Sequence, residues 1–280
     1  SQMQILLTVS TSPTWARADQ TEDGPPDDYA PFGIFVGQLA TRYAGKVQAI
    51  QIWNEPNLRR EWFNNNHRLS AEAYVNLLRV AHQAIKAANP SMLVIAAGLA
   101  PTGFNDGVNA IDDRLYLEEM YRRGVITVTD AMAAHAGGWA NPPDSTCCEA
   151  SVGVESHFDN RTFFFRDTLD DYRIIMQAYG DVRPLWVTEF GWGTVEAADL
   201  PAVGESYQFV NYNSLNEQAL YSVRAFQLGQ ELGFIGPMFL NNVNGCISDA
   251  TRIENCYYSL IGPDGVERPA YSALQVMPKD

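Results

Sequence analysis

A chain of 280 residues, 46% hydrophobic and 11% aromatic, is long enough to bury a substantial core and apolar enough to fold as a globular protein. Its formal net charge of −14 argues against a nucleic-acid backbone or an anionic membrane as partner, because the summed field repels both. No apolar run approaches the ~18 residues that a membrane span needs.

Gln4 to Val9 reads as a buried strand that runs into a polar loop, Ser10 to Trp15. An acidic segment from Asp19 to Asp28 leads to a helix over Tyr29 to Tyr43, with Pro31 in its first turn and Phe32, Phe35 and Leu39 on its apolar face. Gly33 and Gly37 weaken that helix, and Gly45 ends it. Val47 to Trp53 is a second strand, stopped by Asn54-Glu55-Pro56, since proline cannot donate to a sheet ladder. After a loop from Asn57 to His67, Ser70 is placed to cap a helix over Ala71 to Ala88, whose stripe is Tyr74, Leu77, Leu78, Ala81 and Ile85.

Met92 to Ala97 is the third strand, followed by a loop through Pro101 and Asn105 and a helix over Asp112 to Arg123. Ile126 to His135 is expected as the fourth strand, Ala136 to Asn160 as an excursion, and Phe163 to Tyr179 as the next helix. Leu185 to Glu189 is the fifth strand, Leu215 to Leu232 a helix, Phe234 to Leu240 the sixth strand, and Pro269 to Gln275 a last short helix. Strand followed by helix, six times over, predicts an α/β fold with a parallel sheet and right-handed crossovers. One domain over residues 1–280 is the simplest reading, as no linker or repeat interrupts the chain.

Cys147, Cys148, Cys246 and Cys256 show no CxxC spacing, so a structural zinc site has little support. Cys246 and Cys256 flank a polar loop; they either close a disulfide, which implies an oxidising, extracellular setting, or all four thiols are unlinked. His157 near the first cysteine pair matches no standard metal spacing.

In a parallel β/α barrel, chemistry collects at the C-terminal ends of the strands. There the chain offers Glu55, His135 and Glu189. Two carboxylates at different strand ends suit glycosidic-bond hydrolysis, in which one donates a proton while the other attacks or activates water. Ile52-Trp53-Asn54-Glu55-Pro56 and Trp186-Val187-Thr188-Glu189-Phe190-Gly191-Trp192 resemble the two signatures of clan A glycoside hydrolases, most closely the cellulase-like and family 39 branches. The resemblance implies a TIM-type (β/α) barrel with six visible β/α units, matching strands three to eight, so that the chain lacks the first two and is N-terminally truncated. It implies Glu55 as acid/base and Glu189 as nucleophile of a retaining enzyme that needs no cofactor or metal. Asn54 would bind the hydroxyl beside the reacting carbon, and His135 would orient the nucleophile or bind sugar. Trp15, Trp139 and Trp192 are candidate platforms for sugar rings of an oligo- or polysaccharide.

The chain departs from the clan pattern in three places. The arginine of the second strand has no counterpart, His135 is followed by Ala136 and Gly137 without a Tyr, and the tryptophan at the end of the last strand is replaced near Asn241. Six strands alone would leave two sheet edges open, to be covered by a second copy of the chain or a partner segment. The rival reading is a non-catalytic carbohydrate-binding or inactive barrel. An esterase or peptidase is disfavoured because no GxSxG elbow is present. For Glu55 to donate a proton near neutral pH, its surroundings should favour the protonated acid more than those of Glu189.

Overall fold

The computed structural model describes residues 3–19, 23–63, 68–149, 152–196, 203–248 and 253–278; His67, the end of one expected loop, lies outside them. Among the described residues the alternation runs β1 (Leu6–Val9), α1 (Tyr29–Arg42), β2 (Ala49–Ile52), α2 (Ala71–Ala88), β3 (Leu93–Ala96), α3 (Asp113–Arg122), β4 (Ala133–Gly137), α4 (Phe165–Ala178), β5 (Leu185–Gly191), α5 (Leu215–Leu232) and β6 (Ile235–Leu240). Three short helices follow: α6 (Gly245–Ser248), α7 (Ile253–Tyr258) and α8 (Pro269–Val276). The six expected strands are present, organised as two three-stranded sheets, β1-β2-β3 and β4-β5-β6. Two compact units divide the chain, Ser1–Ala134 with Tyr172–Trp186, and His135–Asp171 with Val187–Asp280.

In the first unit β2 is the central strand, parallel to both neighbours, with Ile50 facing Leu7 and Val94 in register. All four of its residues are buried, which its apolar run demands of a strand covered on both faces. The exception in composition, Gln51, is satisfied along the sheet: its Oε1 accepts from Thr8 Oγ1 and its Nε2 donates to the Ala96 carbonyl. The expected stripe of α2 is buried as read, and Ser70 caps it by accepting from the Ala73 N–H. The face of α1 differs from expectation, because Phe32, Gly33, Val36 and Ala40 are buried while Phe35 is 49% exposed. Gly33 explains the rotation: a Cβ there would lie 2.7 Å from Val80 Cγ1, so the bare backbone lets α1 settle against α2.

The expected fourth strand is shorter and later than read. Residues Val125–Thr127 form a 3-10 turn behind Gly124, which adopts φ +82°. Asp130 and Thr129 then spend their polar groups on β3: the Val94 N–H donates to Asp130 Oδ2, and Thr129 Oγ1 donates to the Val94 carbonyl. Local side-chain bonds of this kind replace a ladder, and only the single bridge Ile95 to Ala131 pairs this stretch with β3.

In the second unit α8 rests on α5 through Ala219, Leu260 and Ala270. A capping box starts α5, with Ser214 accepting from the Glu217 N–H and Glu217 reaching back to the Ser214 N–H. Gly233 at φ +67° ends it. Cys246 and Cys256 are joined as a disulfide across the α6–α7 loop, and the adjacent Cys147 and Cys148 are also joined.

Candidate functional site

Among the described residues, four non-glycine residues have positive φ: Thr11 (62°), Trp53 (74°), Glu55 (41°) and Trp139 (50°). Each lies one to three residues beyond the end of β1, β2 or β4. Side chains other than glycine avoid this region, and the backbone holds them there only where its surroundings over-determine it. Three of the four are at or beside residues singled out in the sequence.

In the first unit the surroundings of Glu55 can be traced bond by bond. The β2 ladder continues one residue past the strand, from the Trp53 N–H to the Val9 carbonyl at 2.8 Å. Trp53 is fully buried, its indole N–H donates to the Glu61 carbonyl, and its ring meets Trp62 edge-on. Tyr74 of α2 joins the ends of two strands: its hydroxyl donates to the Ile52 carbonyl at 2.9 Å and accepts from the Ala97 N–H at 2.6 Å. Burial raises the Tyr74 phenol well above its ordinary range, so it stays protonated.

The turn that follows is clamped to the loop after β3. The Glu55 N–H donates to the Gly98 carbonyl, and fully buried Asn57 donates to the Ala100 and Ile111 carbonyls while accepting from the Ala100 N–H. Glu55 sits three residues beyond the last residue of β2. Its side chain is 14% exposed, and Oε2 lies 3.0 Å from Nη2 of Arg60. Asn54 is half-buried beside it. Trp15, in a 3-10 turn after β1, is 75% exposed; its loop is fastened by buried Arg17, which donates to the Phe63 carbonyl.

In the second unit His135 and Glu189 come together. His135 is buried within β4, not at its end, because the strand runs on to Gly137. Its Nε2 lies 3.8 Å from Glu189 Oε1. Glu189 likewise precedes the end of β5 by two residues, and its side chain is 44% exposed. Asn241, the first residue after β6, directs Nδ2 at Glu189 Oε2 at 3.5 Å, the outer limit of a hydrogen bond. One carboxylate oxygen thus faces an imidazole and the other an amide. Gly191 allows this: a Cβ there would lie 2.8 Å from the Asn241 carbonyl oxygen. Arg60 is not singled out by the sequence, and Asn241 is noted there only as the position near which the clan's strand-end tryptophan is replaced; its place directly after an apolar strand is the signal for a site residue.

The two remaining tryptophans differ. Trp139 is half-buried, with Phe163 edge-on at 4.9 Å, and the Asn213 side chain donates to its carbonyl. Trp192 is 1% exposed, its indole N–H donates to the Asn141 carbonyl, and its ring packs against Phe165 and Tyr221, so it presents no open face. Gly138 is needed beside it, as a Cβ would meet the Trp192 indole at 2.4 Å. His157 stacks on Phe163 at 3.7 Å, and burial pushes its imidazole down to about 4. Among the described residues, no group of three or more His, Cys, Asp or Glu is placed to hold a metal ion, and no helix is long and apolar enough to cross a membrane.

Comparison with solved structures decides the fold. The chain superposes on a family 39 glycoside hydrolase from the gut symbiont Bacteroides cellulosilyticus WH2 with a TM-score of 0.60 and 17% identity, covering 94% of this chain and 47% of that one. The fold is one found in glycoside hydrolases. A monomeric β-xylosidase from Caulobacter crescentus CB15 matches with a TM-score of 0.59 and 17% identity over 96% of this chain and 52% of that one. The family 53 glycoside hydrolase catalytic domain from Ignisphaera aggregans matches at 0.60 and 16% identity, over 98% of this chain and 74% of that one. The chain spans about half the length of the family 39 structure and of the β-xylosidase. No family model matches the sequence, and no curated protein matches it.

Proposed function

We propose that this chain is a retaining glycoside hydrolase that cleaves β-glycosidic bonds of an oligo- or polysaccharide by double displacement. The observation that carries the reading is Glu189, a partly exposed carboxylate on β5 with His135 Nε2 and Asn241 Nδ2 each addressed to one of its oxygens. Fixed neighbours of this kind aim a nucleophile without covering it. In the first step a Glu189 oxygen attacks the anomeric carbon while Glu55 transfers its proton to the departing glycosidic oxygen. In the second, Glu55 takes a proton from water, whose oxygen displaces Glu189 from the anomeric carbon. Asn54 binds the hydroxyl next to that carbon, Trp15 and Trp139 offer aromatic surface to sugar rings, and Trp192 holds the segment that carries Trp139 through its bond to the Asn141 carbonyl.

The six β/α units belong to one TIM-type catalytic domain in this reading, and β1, which among the described residues pairs with β2 alone, takes its second neighbour from another segment or a second copy. The two disulfides support a secreted protein. Turnover of a panel of aryl glycosides, with Glu189→Ala as control, tests the reading; a rate unchanged in that variant rejects it.

A carbohydrate-binding protein without turnover is the second reading, and one observation favours it. The Arg60 guanidinium lies 3.0 Å from Glu55 Oε2, so the carboxyl proposed as proton donor is engaged in an ion pair. Oligosaccharide binding without cleavage by the wild type decides for it.

A further inference from the structure

The two groups that face each other in the second unit, His135 and Glu189, are each followed two residues later by a glycine, Gly137 on β4 and Gly191 on β5. An aromatic ring occupies the space that a side chain would take at each. A Cβ at Gly137 would lie 3.3 Å from Trp139 Cζ3, and one at Gly191 would lie 3.4 Å from Tyr258 Cδ1. The strands β4 and β5 are neighbours in the sheet, and residues two apart on a strand share a face, which sets the Trp139 ring next along β4 from the His135 imidazole. Asn241 fixes the other side independently: its amide is aimed at Glu189 Oε2, and its carbonyl oxygen would meet a Gly191 Cβ at 2.8 Å. Two residues of strand span ~7 Å, which puts the Tyr258 ring within one sugar's reach of Glu189.

Both rings, partly buried, pack against the same cluster of Phe209, Val210 and Tyr257. The Tyr257 carbonyl, next to Tyr258 in the chain, accepts from the Thr194 N–H, Gln218 Nε2 and Arg268 Nη1. The Cys246–Cys256 disulfide ties α6 to α7 two residues before Tyr258. Such pre-ordering lowers the entropic cost of using the ring as a contact. The direction of the ring is set as well. Tyr258 Cζ lies 3.3 Å from where a Gly193 Cβ would be, so the ring runs along the chain from Gly191 and carries its hydroxyl at the end nearer Gly193. From this placement we infer that Tyr258 is a substrate-contact residue that, with Trp139, walls the subsite of the sugar whose anomeric carbon Glu189 attacks, and that it acts through its ring and not through its hydroxyl. The inference rests on Glu189 as nucleophile, because the sugar transferred to that carboxylate must lie over it, in the space that the two rings border. The apolar face of a pyranose suits an aromatic surface there.

The test measures kcat/KM for an aryl monoglycoside and for a tri- or tetrasaccharide of the same sugar, scaled to the folded fraction read by circular dichroism. Tyr258→Leu fills the space against Phe209 and Val210 without presenting a ring, and Tyr258→Met replaces it if the Leu variant does not fold. In that variant kcat/KM should fall about three- to tenfold on both substrates alike, because both place the same sugar over Glu189, and Tyr258→Phe should keep the wild-type value. Wild-type rates in Tyr258→Leu, a loss confined to the oligosaccharide, or a Tyr258→Phe as slow as Tyr258→Leu overturns the inference while leaving the hydrolase reading intact. If the wild type cleaves nothing, the hydrolase reading fails, and calorimetry with the methyl β-glycosides of xylose, glucose, galactose and mannose still discriminates. Binding weakened in Tyr258→Leu and kept in Tyr258→Phe upholds Tyr258 as a sugar contact, and any other pattern, or no binding by the wild type, overturns it.

Discussion

Arg60 Nη2 and Glu55 Oε2 are 3.0 Å apart, on a turn where Glu55 holds φ +41° and its side chain is 14% exposed against 65% for Arg60. An ion pair with one exposed partner is screened, and its net worth is small, but its sign matters to catalysis. A cation beside Glu55 is the opposite of the environment expected of a proton donor from sequence. Arg60 also reaches Glu61 at 3.6 Å, so its charge is shared. Removing it with Arg60→Ala should alter the pH profile of kcat/KM, because the charge paired with the Glu55 carboxyl is gone. A profile that does not move on this substitution separates Arg60 from the chemistry.

Asn57 is the residue on which the Glu55 turn depends most. Its side chain makes three hydrogen bonds at a fully buried position, and each partner stranded by Asn57→Ala costs about 1–3 kcal/mol. Partial relaxation makes these losses less than additive, so urea denaturation should report a loss of about 3 kcal/mol. Activity per folded molecule should fall as well, since the turn loses its fixed register. Wild-type stability in the variant would show that the clamp is replaced by water.

How much of this was legible beforehand varies with the physics involved. The stripe of α2 and the strand β2 were legible because burial imposes a period on the sequence, 3.6 in the one and a continuous apolar run in the other. The glycines of α1 looked like weaknesses and are contacts with α2, since close approach of two helices leaves no signature except small residues. The stretch before β4 departs from the expected strand because Ile126 and Val128 have strand propensity, while Gly124, Thr129 and Asp130 turn the chain and take up the edge of β3. Glu55 and Glu189 were singled out by motif. What could not be read was the left-handed backbone at Trp53 and Glu55, the pairing with Arg60 across five residues, and the approach of Asn241 to Glu189, all of which are set by tertiary constraint.

His157 carries a pH dependence of stability. Burial against Phe163 lowers its imidazole to about 4 from an ordinary 6.5. The unfolded chain therefore binds the proton first, and the stabilisation is complete above about pH 6.5 and is lost as pH falls from there toward 4. Melting temperatures of the wild type and of His157→Phe, measured from pH 7.5 to 4.5, should differ least at the top of that range and diverge downward in favour of the variant. Parallel curves would place the acid sensitivity elsewhere.

The disulfide between Cys246 and Cys256 closes a loop with a sequence separation of 10. Loop-closure entropy for that span corresponds to about 2.7 kcal/mol. The double substitution Cys246→Ser with Cys256→Ser should lower stability by about that amount in denaturant titrations, and reducing agent should act on the wild type but not on the double variant. An equal effect of reductant on both would assign it to Cys147 and Cys148.

Covalent capture of the nucleophile tests the central claim most directly. A 2-deoxy-2-fluoro glycoside of the sugar that the aryl panel identifies forms its glycosyl-enzyme readily and releases it slowly, so the labelled peptide can be sequenced by mass spectrometry. The account predicts one sugar per chain on the peptide containing Glu189, with no label in Glu189→Ala. Label on another residue, or turnover that inverts the anomeric centre without any label, would contradict it.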